Sequence, residues 1–147
     1  MAGADERAGW VTEDVSEAEW QRQVVRLLNE FGYVCDHVFR LRCHDGSWRT
    51  GNTLAGRPDV IALRPPRLLA IELKAERGVL DRRQRACLSL YAEVPGARAW
   101  VLRPSDLDVA REWFRRPGPA PAVYGFERMT QLEAYRVVAP ASARAPR

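Results

Sequence analysis

The fold of this chain is best predicted from the segment Pro58-Asp-Val-Ile-Ala-Leu-Arg-Pro-Pro-Arg-Leu-Leu-Ala-Ile-Glu-Leu-Lys74. It contains two short apolar runs, and the turn-forming pair Pro65-Pro66 lies between them. This pattern predicts a β-hairpin. If the pairing is symmetric about the two prolines, Asp59 lies directly opposite Glu72.

The charged residues of the second run share one face of the predicted hairpin. Alternate side chains of a strand point the same way, so Glu72 and Lys74 lie together. The other face carries the apolar residues that point into a core: Leu69, Ile71 and Leu73. Two opposed carboxylates destabilise a sheet unless something offsets their charge. A divalent cation would do so, and Mg²⁺ and Mn²⁺ prefer such oxygen ligands, whereas a shift of register by one residue would separate the pair.

A third acidic residue comes from the helix predicted before the hairpin. Ser16 is a good N-cap with Glu19 three residues on, and Trp20 begins an apolar stripe at helical spacing. At about 100° per residue, Glu17 falls inside that stripe and Glu19 outside it. Because the stripe faces the sheet, Glu17 is the better candidate for the site.

The remaining pattern predicts an α/β protein. The predicted elements are a helix over 16–31, a strand over 33–39, a polar loop over 40–57 with an edge strand inside it, the hairpin of 58–63 and 68–74, a helix over 81–93 that begins at Asp81, a strand over 97–102, and a third helix that Ser105 caps and that runs through Phe114. The order α-β-β-β-α-β-α implies a mixed β-sheet flanked by helices.

The length of 147 residues suits a single domain. We place it at 15–116, after a flexible N-terminal segment over 1–14. Pro117-Gly-Pro-Ala-Pro121 then breaks the chain. A C-terminal extension with a short strand or helix is predicted over 117–138, and a disordered tail over 139–147.

The composition narrows the class of protein. A net charge of +4 permits a nucleic-acid partner without demanding one. No apolar run approaches the ~18 residues of a membrane span, and the polar N-terminus carries no secretory signal. The odd number of cysteines, 3, fits a reducing compartment. We therefore expect a cytoplasmic protein with no membrane partner.

The order of these motifs resembles a known family of nucleases. Asp59 after a proline, followed by Glu72-Leu-Lys74, resembles the PD-(D/E)xK nuclease signature. The wider set of Gly56-Arg-Pro-Asp59, Ile71-Glu-Leu-Lys74, Gly78 and Gln84 resembles the VRR-NUC family, and its phage-type stand-alone members are the most similar. The similarity runs from about residue 16 to about residue 115 and implies a restriction-endonuclease-like core.

The resemblance implies metal-dependent hydrolysis of a phosphodiester bond. Asp59 and Glu72 would hold Mg²⁺ or Mn²⁺, with the carbonyl of Leu73 as a further ligand and Glu17 binding directly or through water. Lys74 would orient or deprotonate the attacking water, or stabilise developing charge. Lys74 is also the only lysine beside 22 arginines, and a lysine can lose its proton in a site where an arginine stays charged.

Several residues have two interpretations. Gln84 would position water or phosphate, or would form a capping box with Asp81. A group of potential zinc ligands has no standard zinc spacing, so core or loop roles compete with metal binding: Cys35, His37, Cys43 and His44. Trp48, in a polar loop, could stack on a base.

Arginines surround the predicted site, and as a group they favour a nucleic-acid partner over a merely solubilising surface. The candidates for phosphate contacts are Arg40, Arg42, Arg49, Arg57, Arg77 and Arg82.

The function predicted from these observations is that of a Mg²⁺- or Mn²⁺-dependent DNA endonuclease. Structured or branched DNA is a candidate substrate, as for a Holliday-junction resolvase, in a bacterial or phage-infected cell. A homodimer is expected by analogy. Two alternatives remain open: a nucleic-acid-binding module that keeps the nuclease fold without cutting, and a small zinc-bearing interaction protein.

Overall fold

A computed structural model of the chain describes residues 15–37, 41–49 and 54–139. Its helices are α1 (Glu17–Glu30), α2 (Arg82–Glu93), α3 (Leu107–Arg115) and α4 (Gln131–Val138). Its strands are β1 (Val34–His37), β2 (Leu41–Arg42), β3 (Trp48–Arg49), β4 (Val60–Arg64), β5 (Arg67–Leu73), β6 (Ala97–Leu102) and β7 (Val123–Tyr124).

The main sheet has five strands in the order β1-β4-β5-β6-β7. The β1–β4 and β4–β5 pairs are antiparallel, whereas β5–β6 and β6–β7 are parallel. The sheet is therefore mixed, as the sequence predicts. Strands β2 and β3 form a separate two-stranded hairpin, so the strand predicted inside the polar loop does not join the edge of the main sheet.

Helices cover both faces of the sheet. The apolar stripe of α1, with Trp20 and Leu28, and Phe114 of α3 pack on the face that carries Ile71. Leu88 of α2 packs on the opposite face. Helix α4 then packs on the outer side of α2 through Ala86 and Ala134. The core thus has two apolar layers, and β5 lies in the middle of the sheet between them.

Most predicted elements are confirmed, with ends that differ by at most two residues: β4 and β5 of the hairpin, for example, are shifted towards the turn. The structure has α2 over Arg82–Glu93 with Asp81 as its N-cap, and β6 over Ala97–Leu102. Helix α1 ends at Glu30, and Gly32 beyond it has a φ of 83°, a left-handed conformation that favours glycine. The predicted strand over 33–39 is described as Val34–His37, and residues 38–39 lie outside the described part.

The start of the third helix was predicted wrongly. Ser105 lies inside a short 3₁₀ turn, Pro104–Asp106, and α3 begins only at Leu107. The Asp106 side chain does not cap α3 but accepts a hydrogen bond from the amide of Arg103, at 2.8 Å. The proline therefore starts a tight turn before the helix, and serine has no capping role there.

The C-terminal extension adds both a strand and a helix to the main body. β7 pairs with β6, and the indole Nε1 of Trp100 donates to the carbonyl of Pro121 at 2.8 Å. Met129 is buried beneath α4. The amide of Ala139 donates to the carbonyl of Tyr135 at 2.9 Å. The predicted flexible segment over 1–14 and residues 140–147 of the predicted tail lie outside the described ranges.

No helix in the described part of the chain combines the length and the apolar character needed to cross a lipid bilayer.

Candidate functional site

The β4–β5 hairpin has the register that the sequence predicts. Val60 pairs with Ile71 and Arg64 pairs with Arg67, so the pairing is symmetric about Pro65-Pro66. Asp59 immediately precedes β4 and therefore lies at the same level as Glu72. Its Oδ2 accepts a hydrogen bond from the amide of Leu73 at 2.8 Å. This bond fixes the Asp59 carboxylate at the end of β5, beside that of Glu72.

Glu72 is the most unusual side chain of the site because it is acidic and only 1% exposed. Its Oε1 accepts a hydrogen bond from Nε2 of Gln84 at 2.7 Å and lies 3.6 Å from Nζ of Lys74. Its Oε2 is buried and, among the described residues, has no hydrogen-bond partner. A buried carboxylate oxygen without a partner is costly, so Oε2 is a candidate ligand atom for a cation placed between Glu72 and Asp59.

Both carboxyl groups of the pair have a raised pKa, and burial is the main cause for each. Burial raises the pKa of Glu72, and the negative charge of Asp59 raises it further, to about 9. Burial likewise raises the pKa of Asp59, although the hydrogen bond from Leu73 opposes the change. A cation bound between the two groups would favour both ionised forms.

Lys74 lies on the same side of β5 as Glu72 and is 8% exposed. Its amide donates to the carbonyl of Leu102 at 3.2 Å, so the end of β6 fixes its backbone. The only lysine of the chain is therefore a buried residue of the carboxylate site. This excludes a solvated surface position for it.

Gln84 forms the predicted capping box and also contacts the site, whereas a role in positioning water or phosphate stays a prediction. Its Oε1 accepts from the amide of Asp81 at 3.0 Å, and the Asp81 side chain accepts from the amide of Gln84 at 2.8 Å. These bonds form a capping box at the start of α2. They also orient the amide group so that its nitrogen donates to Glu72.

Glu17 approaches the site from the other side of the sheet. Its side chain is exposed, so the prediction that it lies within the buried stripe of α1 is wrong. A Cβ atom added to Gly78 would lie 3.2 Å from its Oε1. The negative charge of Glu17 also contributes to the raised pKa of Asp59. Glu19, in contrast, pairs with Arg22 at 2.5 Å.

The donor set is suitable for a hard divalent cation. Across the described ranges, no three His, Cys, Asp or Glu side chains form a ready-made metal-binding group. Mg²⁺ does not require one, because it commonly binds through one or two carboxylates and keeps several waters. Asp59 and Glu72 supply that pair, and the unpartnered Oε2 of Glu72 is a suitable ligand atom.

The predicted phosphate-binding arginines have different surroundings. Arg57 forms an ion pair with Asp36 of β1. Arg77 and Arg82 are exposed in the loop after Lys74 and at the start of α2. Arg40 lies outside the described residues, as do the side chains of Arg42, Arg49 and Trp48.

The potential zinc ligands do not converge in the described part of the chain, where no group of three possible ligands occurs. Cys35 packs against the main core, and burial raises the pKa of its thiol to about 11. His44 is exposed. Cys35 therefore has the core role that competed with zinc binding.

One residue beside the site was missed in the sequence. Arg103 follows β6, and its Nη1 donates to the carbonyls of Ala75 and Glu76, at 2.6 Å and 3.1 Å. The available signal was its place directly after a strand, where the carboxyl ends of parallel neighbours meet.

Comparison of the chain with protein-family models, with curated proteins and with solved structures gives no match.

Proposed function

We propose that this chain is a Mg²⁺- or Mn²⁺-dependent nuclease that hydrolyses phosphodiester bonds in DNA, on a core of the PD-(D/E)xK type. The observation that carries the proposal is the Glu72 carboxylate. It is buried opposite Asp59, lies 3.6 Å from Nζ of Lys74, and has one oxygen that finds no hydrogen-bond partner in the described part of the chain. A fold maintains such an arrangement at a cost to stability, so its presence favours a role in binding and catalysis.

The proposed division of labour follows from the contacts of each group. Asp59 and Glu72 would hold the ion, with the carbonyl of Leu73 and Glu17 completing the site. Bound there, the metal would lower the pKa of a water and offset negative charge on the phosphate. Gln84 keeps one oxygen of Glu72 occupied, so that the other is directed to the ion. Lys74 would hold or deprotonate the attacking water.

The proposed substrate is a nucleic acid because the chain is basic and arginines flank the carboxylates. The net charge is +4, and Arg77 and Arg82 are free to extend from the surface near the site. We extend the proposal to structured or branched DNA cut by a homodimer in the cytoplasm of a bacterial or phage-infected cell. These refinements rest on the family resemblance.

The test is a cleavage assay on a panel of linear, flapped and four-way-junction DNAs in Mg²⁺, Mn²⁺ or EDTA. We expect cleavage that requires the metal and that is lost in Asp59→Asn and Glu72→Gln. Glu127→Gln is the matched control, because it removes the same charge from an exposed residue outside the site. Circular dichroism of each variant confirms that it is folded.

The outcomes separate the candidate functions. Metal-independent cleavage, or full activity in Glu72→Gln, would remove the assignment. DNA binding without cleavage in any metal would instead favour the non-cleaving binding module.

A further inference from the structure

The turn that follows Lys74 is held by the side chain of Arg103. Residues 75–78 form a tight turn in which the amide of Gly78 donates to the carbonyl of Ala75 at 3.0 Å. Nη1 of Arg103 donates to the same carbonyl at 2.6 Å and to that of Glu76 at 3.1 Å. The carbonyl of Ala75, which closes the turn, is therefore also the nearer of the two carbonyls that Arg103 contacts.

This turn connects the two halves of the candidate site. Lys74 stands at its start, and Gly78 at its end is the residue beside the carboxylate of Glu17. A Cβ on Gly78 would meet both Glu17 and the backbone of Ala75, so the three groups are closely packed. The turn thus lies between Lys74 and the carboxylate of Glu17, and a change in its shape would alter the space available to Glu17.

Arg103 is itself linked by hydrogen bonds to the C-terminal extension. The amide of Arg103 donates to Oδ2 of Asp106 at 2.8 Å, and the hydroxyl of Tyr124 donates to Oδ1 of the same carboxylate at 2.6 Å. The Glu76 side chain accepts from the amide of Ser105 at 3.1 Å. Tyr124, Asp106 and Arg103 therefore form a hydrogen-bonded chain that runs from β7 to the turn.

We propose that Arg103 is a positioning residue, and that it fixes the 75–78 turn so that Lys74 and Glu17 keep their places around the carboxylate pair. The proposal rests on the proposed nuclease function and extends it to a residue outside the metal-binding set. It also assigns a role to the extension, because Tyr124 orients Asp106 and Asp106 orients Arg103.

The test compares Arg103→Ala, Arg103→Lys and Tyr124→Phe with the matched control Arg98→Ala. Arg98 also donates to a backbone carbonyl, that of Gly118 at 3.2 Å, but it does so outside the site. Three quantities are measured well below the melting temperature: hydrogen exchange at the Gly78 amide, Mn²⁺ affinity by calorimetry, and single-turnover cleavage per folded molecule.

We expect Arg103→Ala to accelerate exchange of the Gly78 amide and to weaken Mn²⁺ binding by about 10-fold. Cleavage should fall by up to about 100-fold, because small displacements of catalytic groups slow a reaction by that factor. The affinity for DNA should stay unchanged. Arg103→Lys should recover part of each loss, because an ammonium can still donate to one carbonyl. Tyr124→Phe should show a smaller change in the same direction, and Arg98→Ala none.

Two failures are distinguishable. If the wild-type protein does not cut DNA, the proposed function fails. Unchanged Gly78 exchange and Mn²⁺ affinity in Arg103→Ala would overturn the positioning role independently. If the wild type cuts and the Arg103 variants lose only thermal stability, with normal cleavage per folded molecule, Arg103 is structural and the inference is wrong. Should Arg103→Ala fail to fold, the Lys and Phe variants decide the question.

Discussion

At the scale of single residues, the carboxylate pair dominates the physical chemistry of this chain. Glu72 is nearly inaccessible to solvent, and its surroundings include one donor amide, one ammonium and a second acid. Burial and the negative charge of Asp59 penalise ionisation of Glu72 more than the ammonium of Lys74 favours it, so the pKa of Glu72 is raised to about 9 in the metal-free protein.

This arrangement makes the metal-free protein sensitive to pH. The pKa of Glu72 is raised from 4.5 to about 9, so the folded state binds more protons than the unfolded state between those values. Stability contributed by the neutral carboxyl is complete below the lower value and is lost as pH rises through the upper one. In EDTA, Glu72→Gln should therefore become increasingly more stable than the wild type as pH rises. Urea unfolding across that range measures the difference, and a constant difference would contradict the shift.

Lys74→Arg tests what the buried lysine does. Space is limited at this position because Lys74 is 8% exposed and is close to Glu72. The larger, planar guanidinium, which stays charged, should not replace a group that holds or deprotonates water. We expect cleavage to be lost and DNA affinity to survive, as measured by single-turnover kinetics and by a binding titration. Near wild-type cleavage would leave Lys74, at most, a phosphate contact.

At the scale of elements, α2 and the loop before β4 carry the groups that orient the carboxylates. Gln84 and Asp81 form the two halves of one capping box, but only Gln84 also contacts Glu72. This division allows the capping role to be separated from the role in the site.

Asp81→Ala and Gln84→Ala should both lower stability and should differ in their effect on activity. Each removes one bond of the capping box, and loss of the N-cap side chain costs about 1 kcal/mol. Gln84→Ala also releases Glu72 and should lower metal affinity or cleavage by about 10- to 100-fold. Thermal melts and cleavage rates of the two variants give the comparison. Equal cleavage rates would restrict Gln84 to capping the helix.

The loop before Asp59 is held against α2 at one glycine. Gly56 has a φ of 86°, and a Cβ there would lie 2.4 Å from the backbone carbon of Arg83. Gly56→Ala should therefore destabilise the protein by more than the roughly 1–2 kcal/mol of the left-handed conformation alone, and should displace Asp59. Gly32→Ala is the control, because its φ is 83° and its nearest contact is an ordinary 4.0 Å. Equal melting temperatures of the two variants would contradict this account.

At the scale of the whole molecule, the predictable parts are those that depend on nearby residues. The prolines at 65–66 set the hairpin register, and the register brings Asp59 and Glu72 together. The capping box of Asp81 and Gln84 is likewise local in sequence. Contacts between residues that are far apart in the sequence produce no periodic pattern in it. The bond from Arg103 to the carbonyls of residues 75 and 76 could therefore not be predicted. Glu17 was assigned to a buried face because a helical wheel shows direction and does not show where the sheet ends.

The extension should be required for folding. A chain ending at Arg116 would leave β6 as an edge strand and would expose the face of α2 that carries Ala86. Loss of the buried Met129 side chain alone removes about 1.5–3 kcal/mol. We expect a lower urea midpoint for this chain, whereas a chain ending at Ala139 should retain the wild-type midpoint. An unchanged midpoint in the shorter chain would identify the extension as a separate unit.

The parallel pairing of β5 with β6 has a consequence for biosynthesis. The backbone of Lys74 is held by Leu102, which the ribosome adds 28 residues later, and the turn after Lys74 is held by Arg103. A nascent chain that already contains both carboxylates therefore lacks the strand that supports them. Because a chain folds as it emerges, N-terminal part first, an incomplete copy carries the chemical groups without their arrangement. Under the proposed function, the polypeptide becomes able to damage DNA only after β6 and Arg103 have been added.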